Sequence, residues 1–254
     1  MNVVVCVKQV PDPNSVGQLD PSTHNLRRDG VEVVLDPGDE FGIEAGLQLA
    51  EAHGGTVTVV TMAPEKGLDA IRKALAMGAA KGVLVSDPSL AGADALTTAK
   101  VLAAAIRREG FDLVITATES TDGYTGVVPQ ALAEYLGVPA VTFAKAIESD
   151  GSSLTVRRQT EVGYDNVEAV LPAVVSVTAG VNEPRYPSLK GITAAKSKPV
   201  DRLSVADLGL DGLAPGQAIV SVQPAEQRKA GEVVEDDGTA AHRVVEFLAA
   251  KKVI

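Results

Sequence analysis

Thr56-Val57-Thr58-Val59-Val60-Thr61, then Leu68-Asp69-Ala70-Ile71-Arg72-Lys73-Ala74-Leu75-Ala76-Met77-Gly78, then Gly82-Val83-Leu84-Val85, is the stretch that decides the fold. The first and last runs are short, apolar and β-branched, as buried strands are. Between them Leu68, Ile71 and Leu75 recur at helical spacing, with Arg72 and Lys73 on the other side. Gly78 supplies a residue able to take the left-handed conformation that ends a helix. Strand, helix and strand in succession require a crossover, and a crossover makes the two strands parallel.

The same alternation continues on both sides. Residues 3–7 and 112–116 read as further strands, and residues 40–53 and 94–108 as helices, the first ending at Gly54-Gly55. The fold class predicted is α/β: a Rossmann-like, doubly wound parallel sheet with helices on both faces. In such sheets ligands sit beyond the carboxyl ends of the strands. That singles out residues 11–15, 36–39, 62–65 and 117–128. From about residue 148 the pattern changes. Asp150-Gly151 predicts a hairpin turn between strands at 141–147 and 154–158, and strand-like runs follow at 167–171 and 173–178. Beyond Pro184, the residues Pro187, Lys190, Gly191 and Pro199 predict an extended segment. A last helix is predicted over residues 239–251, carrying Val244, Val245, Phe247 and Leu248 on a tail suited to packing on another chain.

Composition narrows the function. Of 254 residues 45% are apolar, enough for a substantial core, and no run approaches the roughly 20 apolar residues of a membrane span. The net charge of -10 argues against nucleic acid, because an acidic chain gains nothing from releasing phosphate counterions. A single cysteine, Cys6, excludes an internal disulfide and fits a reducing compartment. The chain opens directly on a strand, so no leader peptide is expected and the expected location is cytoplasmic. His24, His53 and His242 are scattered, and HExxH, GxSxG, GxxxxGK[ST] and GxGxxG are absent, which lowers an enzyme reading and favours no metal. Cys6, inside a strand, reads as a small buried hydrophobe.

One loop carries chemistry. Thr116-Ala117-Thr118-Glu119-Ser120-Thr121-Asp122-Gly123-Tyr124-Thr125-Gly126-Val127-Val128 follows a strand and precedes a helix at 130–136. Its glycines allow close backbone approach, its hydroxyls add donors, and the free N–H groups and dipole of a helix start favour an anion by ~0.3–1 kcal/mol. Two readings stay open on the residues alone: a phosphate site, or an ordinary polar loop.

Three segments in order resemble the beta subunits of electron transfer flavoproteins. They are Val5-Cys6-Val7-Lys8-Gln9-Val10-Pro11-Asp12, Ile71-Arg72-Lys73-Ala74-Leu75-Ala76-Met77-Gly78-Ala79, and Leu171-Pro172-Ala173-Val174-Val175-Ser176-Val177 with Asn182-Glu183-Pro184-Arg185-Tyr186-Pro187-Ser188-Leu189-Lys190-Gly191-Ile192. The resemblance runs to about Lys198. It implies a sheet of the adenine nucleotide hydrolase-like type, and a heterodimer whose alpha subunit holds most of the FAD while the beta chain holds AMP. It implies electrons taken from flavin dehydrogenases, acyl-CoA dehydrogenases among them, and passed to a membrane-bound quinone oxidoreductase, with no turnover by the beta chain itself and no insertion of it into the membrane. Carried over by position, the AMP contacts are Cys6, Asp36, Pro37, Gly38, Asp39, Met62 and Ala117 to Val128, and the partner-docking residue is Leu189 within a recognition loop at 182–198.

The resemblance thus divides the chain into a nucleotide-binding domain at 1–190 and an arm at 191–254 packing on the alpha subunit. Asp36-Pro37-Gly38 stands where the family usually has Asn-Pro-Phe, and Gln159 where some members have an acid that clasps the flavin domain. Asp122-Gly123 followed by Thr125 also occurs in members that hold a second FAD and bifurcate electrons. Two other readings compete: a nucleotide-binding regulatory protein of stress type, and an enzyme of the same fold. A flavin spectrum on co-expression with an alpha subunit separates them from the carrier.

Overall fold

The structure, a computed structural model, describes residues 1–15, 17–223, 231 and 233–254. The described chain divides into two units, Met1–Ile219 and Val220–Ile254. In the first, strands β1 (Asn2–Cys6), β4 (Thr56–Met62), β5 (Lys81–Val85), β6 (Leu113–Ala117), β7 (Ala140–Ser149), β8 (Ser153–Thr160), β9 (Gly163–Val170), β10 (Ala173–Val177) and β11 (Val200–Leu203) form one sheet. Their order is β11-β5-β4-β1-β6-β10-β7-β8-β9. Strands from β11 to β7 run parallel, and the β7-β8 and β8-β9 pairs are antiparallel. The Asp150-Gly151 turn sits between β7 and β8 as the sequence predicts. A small antiparallel pair, β2 (Gln9–Pro11) with β3 (Val33–Leu35), precedes the first helix.

The helices cover both faces because the strand side chains alternate. On β1, Val3 and Val5 join one core with Ile43 and Leu47 of α1 (Pro37–His53) and Ile71 and Leu75 of α2 (Leu68–Met77). Val4 and Cys6 join the other with Leu102 and Ile106 of α3 (Ala95–Glu109) and Leu132 of α4 (Val128–Leu136). Helix ends follow local chemistry. Asp36 caps α1 by accepting the Gly38 N–H at 2.9 Å, Asp94 caps α3 through Thr97 N–H at 2.8 Å, and Gly54 and Gly78 close α1 and α2 at φ 66° and 144°.

Sequence reasoning made residues 187–199 extended. Instead α5 (Leu189–Ala195) forms there, capped by Ser188 on Gly191 N–H, and β11 adds to the sheet beside β5. The helix escaped notice because its order comes from α2 rather than from an apolar stripe of its own. Arg72 Nη1 donates to the carbonyls of Ala195 at 2.6 Å and Lys198 at 3.0 Å. Lys198 Nζ donates back to those of Leu75 at 2.8 Å and Ala79 at 2.6 Å. Each helix thus has its terminal carbonyls met by a cation from the other segment. The contact is close enough that a Cβ on Gly191 would lie 2.5 Å from the Ala76 carbonyl oxygen. The first unit runs on to Ile219, beyond the 190/191 division expected from the sequence. The second unit carries α6 (Ala240–Ala250), where the last helix was expected.

The segment leading into α5 is tied to α1. Arg185 Nε and Nη2 donate to both oxygens of Glu44, at 2.7 and 3.0 Å, and Nη1 reaches Glu51 at 2.6 Å. The Glu44 side chain is only 5% exposed, so Arg185 neutralises a buried charge. Replacing Arg185 by Met should cost about 2 kcal/mol, less than a fully buried pair because the arginine is partly solvated. Urea unfolding midpoints check this, and adding Glu44→Gln should recover part of the loss.

Candidate functional site

The strand order reverses between β1 and β6: β4 and β5 lie to one side, β10 and β7 to the other. Chain leaving these two strands diverges, which opens a crevice at their carboxyl ends. The loop 118–127 leaves β6 with Thr118 bonded twice to the Val177 carbonyl of β10, through N–H at 3.1 Å and Oγ1 at 3.0 Å. Asp36 fixes its middle. This carboxylate is fully buried; Oδ1 accepts Gly38 N–H, while Oδ2 accepts Thr121 N–H at 2.7 Å and Thr121 Oγ1 at 3.1 Å. Pro37, Gly38 and Asp39 are the first turn of α1 rather than a loop. A Cβ on Gly38 would stand 3.2 Å from Ala117 Cβ, so a larger residue could not bring α1 this near β6.

Beyond Thr121 the backbone turns back. Gly123 and Tyr124 N–H groups reach the Ser120 carbonyl, and Tyr124 and Gly126 have φ of 49° and 63°. Tyr124, Thr125 and Val127 are exposed, as is Glu119; Gly126 and Val128 are half-buried. Helix α4 then starts with Val127 at its cap position and no side-chain oxygen on its first turn. Its N-terminal donors therefore lack the acceptor that Asp36 and Asp94 provide elsewhere. Cys6 closes β1, buried, and Met62 closes β4, half-buried.

Two buried hydroxyls at these strand ends, Thr61 Oγ1 on β4 and Thr116 Oγ1 on β6, have no hydrogen-bond partner. Such orphans are costly and call for a partner beyond the chain. Thr116 lies next to Ala117 and in register with Ser176, whose Oγ is already taken by Phe143 N–H. Thr116 opens the loop singled out from sequence but was not among the ligand contacts carried over, and Thr61 read simply as a β-branched strand position.

Electrostatics add three carboxylates and two cations. Asp39 Oδ2 accepts Lys8 N–H at 2.7 Å. Burial first, and then the neighbouring Asp36, push Asp39 well above the usual carboxylate range. Burial, with Asp39 beside it, pushes the Cys6 thiol up to about 12, so it is no nucleophile. Asp122 is gripped from both sides, Lys8 Nζ on Oδ1 at 2.7 Å and Arg28 on Oδ2. Burial raises its carboxyl, but the Lys8 charge and bonds from Lys8, Arg28 and Ser120 outweigh this and hold it below its ordinary value. Lys8 follows β1 directly and was quotable from sequence; nothing marked Arg28, which comes from the polar excursion between β2 and β3. Leu189 stands apart from this group, 86% exposed at the start of α5.

Comparison with known proteins bears on this arrangement. The electron transfer flavoprotein domain model matches residues 23–208. A protein of Mycobacterium leprae named electron transfer flavoprotein subunit beta is 43% identical, over 100% of this chain and 99% of its own. The chain belongs to the electron transfer flavoprotein beta subunit family. A beta subunit from Thermoanaerobacterium thermosaccharolyticum is 38% identical over the full length of both chains. Subunit CarD of the caffeyl-CoA reductase-Etf complex of Acetobacterium woodii is 36% identical over 99% of this chain and 97% of its own. Membership gives this beta-type chain a role in electron transfer, a flavin in the complex it serves and an alpha subunit as partner. Among the described residues no cluster of three or more His, Cys, Asp or Glu could hold a metal ion, and no helix is long and apolar enough to cross a membrane.

The depressed Asp122 carboxyl yields a pH test. Its contribution to stability is present above the unfolded value near pH 4 and lost as pH falls through the lower folded value. Asp122→Asn should therefore flatten the acid limb of a stability-against-pH curve below about pH 4 and leave its shape at higher pH unaltered, as followed by urea unfolding.

Proposed function

We propose that this chain is the beta half of a heterodimeric electron carrier that holds AMP at the β1/β6 crevice. In this reading it takes electrons from flavin dehydrogenases, acyl-CoA dehydrogenases of fatty acid oxidation among them, and delivers them to a quinone oxidoreductase at the membrane while itself remaining cytoplasmic. The observation that supports the nucleotide is the uncapped start of α4 after the loop that leaves β6, together with the orphaned Thr116 hydroxyl near the end of that strand. A phosphate suits the backbone donors of Thr125, Gly126, Val127 and Val128, with Thr118, Glu119, Ser120, Thr121, Gly123 and Tyr124 shaping the wall and Asp122 the floor. The adenine fits between Cys6, Met62 and the Asp36 to Asp39 turn.

The flavin supplies the redox chemistry and, in this proposal, sits mostly on the alpha subunit. The beta chain's own task is to shape the complex and meet its clients. The apolar α6 residues Val244, Val245 and Phe247 are suited to bury against the alpha chain, in an interface above the ~1,000 Å² of a specific contact. A second reading is an electron-bifurcating subunit with a second FAD in the same crevice; the likeness to CarD and the Asp122-Gly123 turn favour it.

Acid release of nucleotides from the purified heterodimer decides between them. One flavin and one AMP per heterodimer is the expected result; two flavins and no AMP would establish the second reading.

Leu189 is the proposed client anchor, and α5 with Arg72, Lys198 and Arg185 is its mount. Burying a leucine is worth about 1.5–3 kcal/mol, so Leu189→Ala should raise the Michaelis constant for the carrier roughly ten- to a hundredfold and leave the flavin spectrum as it was. Steady-state reduction by a client dehydrogenase measures it, and an unchanged constant removes Leu189 from the docking surface.

A further inference from the structure

Between β2 and β3 the chain leaves the body and returns as a small hairpin. Leu19 and Leu26 pair antiparallel, Asp20 N–H reaches the Asn25 carbonyl at 2.8 Å, and Arg27 N–H the Gln18 carbonyl at 2.7 Å. Asp20 shapes the tip, its Oδ1 accepting the Ser22 and Thr23 N–H groups at 2.9 Å each. At the base Asp12 N–H meets the Glu32 carbonyl at 3.0 Å. The hairpin is ordered within itself, yet no residue from 17 to 32 is buried. It adds nothing to either core, which places it among the segments of a fold that open most easily.

Its attachments fall on both sides of the crevice. In the sheet β1 lies between β4 and β6, and the hairpin issues from the chain that follows β1. Arg28 grips Asp122, in the loop after β6, and also donates to the Gln9 carbonyl at 3.3 Å. The next residue, Asp29, accepts from Lys66 Nζ at 2.7 Å, in the turn after β4. Adjacent residues of opposite charge thus fasten to opposite banks, and the returning limb crosses the carboxyl ends of β4, β1 and β6. The two attachments are unequal. The Asp122 side chain is 4% exposed, whereas those of Lys66 and Asp29 are 76% and 89% exposed. An ion pair open to water contributes little, and one with a sheltered carboxylate contributes more.

We propose that residues 17–32 form a strap over the crevice, latched by Arg28 on Asp122 and braced by Asp29 on Lys66, which must open for a nucleotide to enter or leave. This rests on the AMP reading of the crevice given above and assigns control of exchange to a segment outside the ligand's own contacts. A gate has a kinetic signature. Opening it speeds entry and exit alike and leaves the dissociation constant in place, whereas loss of a ligand contact changes that constant.

The test uses the co-expressed heterodimer and radiolabelled AMP, with uptake followed by rapid filtration and release by a chase of unlabelled AMP. In Arg28→Gln both rates should rise about tenfold, while the dissociation constant stays within about twofold of wild type. Asp29→Asn should raise both rates by only about twofold. Raising salt from about 50 to 500 mM should speed exchange in wild type and alter it far less in Arg28→Gln, because the latch is what salt screens. Unchanged rates in a folded Arg28→Gln heterodimer overturn the proposal. Faster release at unaltered uptake overturns it too, since that would make Arg28 a ligand contact. Should Arg28→Gln fail to fold, Asp29→Asn combined with Lys66→Gln is judged by the same two criteria. Failure of wild type to bind AMP at all is a different result: it removes the nucleotide site, and the gate with it.

Discussion

A carboxylate with no access to water, Asp36, joins three parts of the molecule that the chain brings together from far apart. Its backbone N–H goes to the Lys8 carbonyl at the end of β1, one oxygen caps α1, and the other receives two bonds from Thr121 in the loop after β6. Burying a charge costs several kcal/mol unless every lone pair is met, so the junction is stable in essentially one arrangement. That arrangement fixes how far the loop stands from α1 and where its turn at Gly123 falls. An asparagine here could offer only one acceptor oxygen; its amide nitrogen would face either the Gly38 or the Thr121 N–H donor to donor. The aspartate and the small Gly38 beside Ala117 are therefore a matched pair, one holding the loop and the other letting α1 close on β6.

A second set of polar contacts orders the opposite side of the molecule. The motif around Arg72 and the segment 182–198 are more than a hundred residues apart, yet they form one unit through the exchange of Arg72 and Lys198 between helix ends. Their co-occurrence in one sequence has a physical basis: the two cations meet the Leu75 carbonyl near the end of α2 and the Ala195 carbonyl at the end of α5. Mounted this way, a seven-residue helix too short to be stable alone presents Leu189 and Ile192 outward without unfolding. Arg185 performs the same service one turn earlier in the chain by holding Asn182 to Arg185 on α1, where Asn182 Nδ2 also reaches the Phe41 carbonyl.

What could be read from sequence was whatever is local. The runs at β1, β4, β5 and β6 and the periodicity of α2 announce themselves, because alternation and the 3.6-residue repeat act within a few residues. The boundaries of α2 were legible to the residue, since Gly78 ends it. Insertion of β10 between β6 and β7 was not, because strand order depends on long-range packing. Nor was α5, whose stabilisation is borrowed from another helix. At the crevice the loop was visible as Gly, Ser and Thr in a βα connection, but its fastening was not. The Asp36–Thr121 bond spans 85 residues and the Arg28–Asp122 pair 94, and no spacing rule covers either. Thr116 shows the limit well: as a letter it is an ordinary strand residue, and only its missing partner in three dimensions sets it apart.

The inner charges at the crevice are largely balanced within the chain. Of the carboxylates there, Asp39 has its ionised form disfavoured by burial and by Asp36, so it adds less negative charge than its side chain implies. Asp122 is offset by Lys8 and Arg28 together, and Asp36 is spent on backbone and hydroxyl donors of the loop. What faces the open side is then the backbone dipoles at the start of α4 and the exposed Glu119, whose carboxylate lies 3.4 Å from where a Cβ on Gly126 would be.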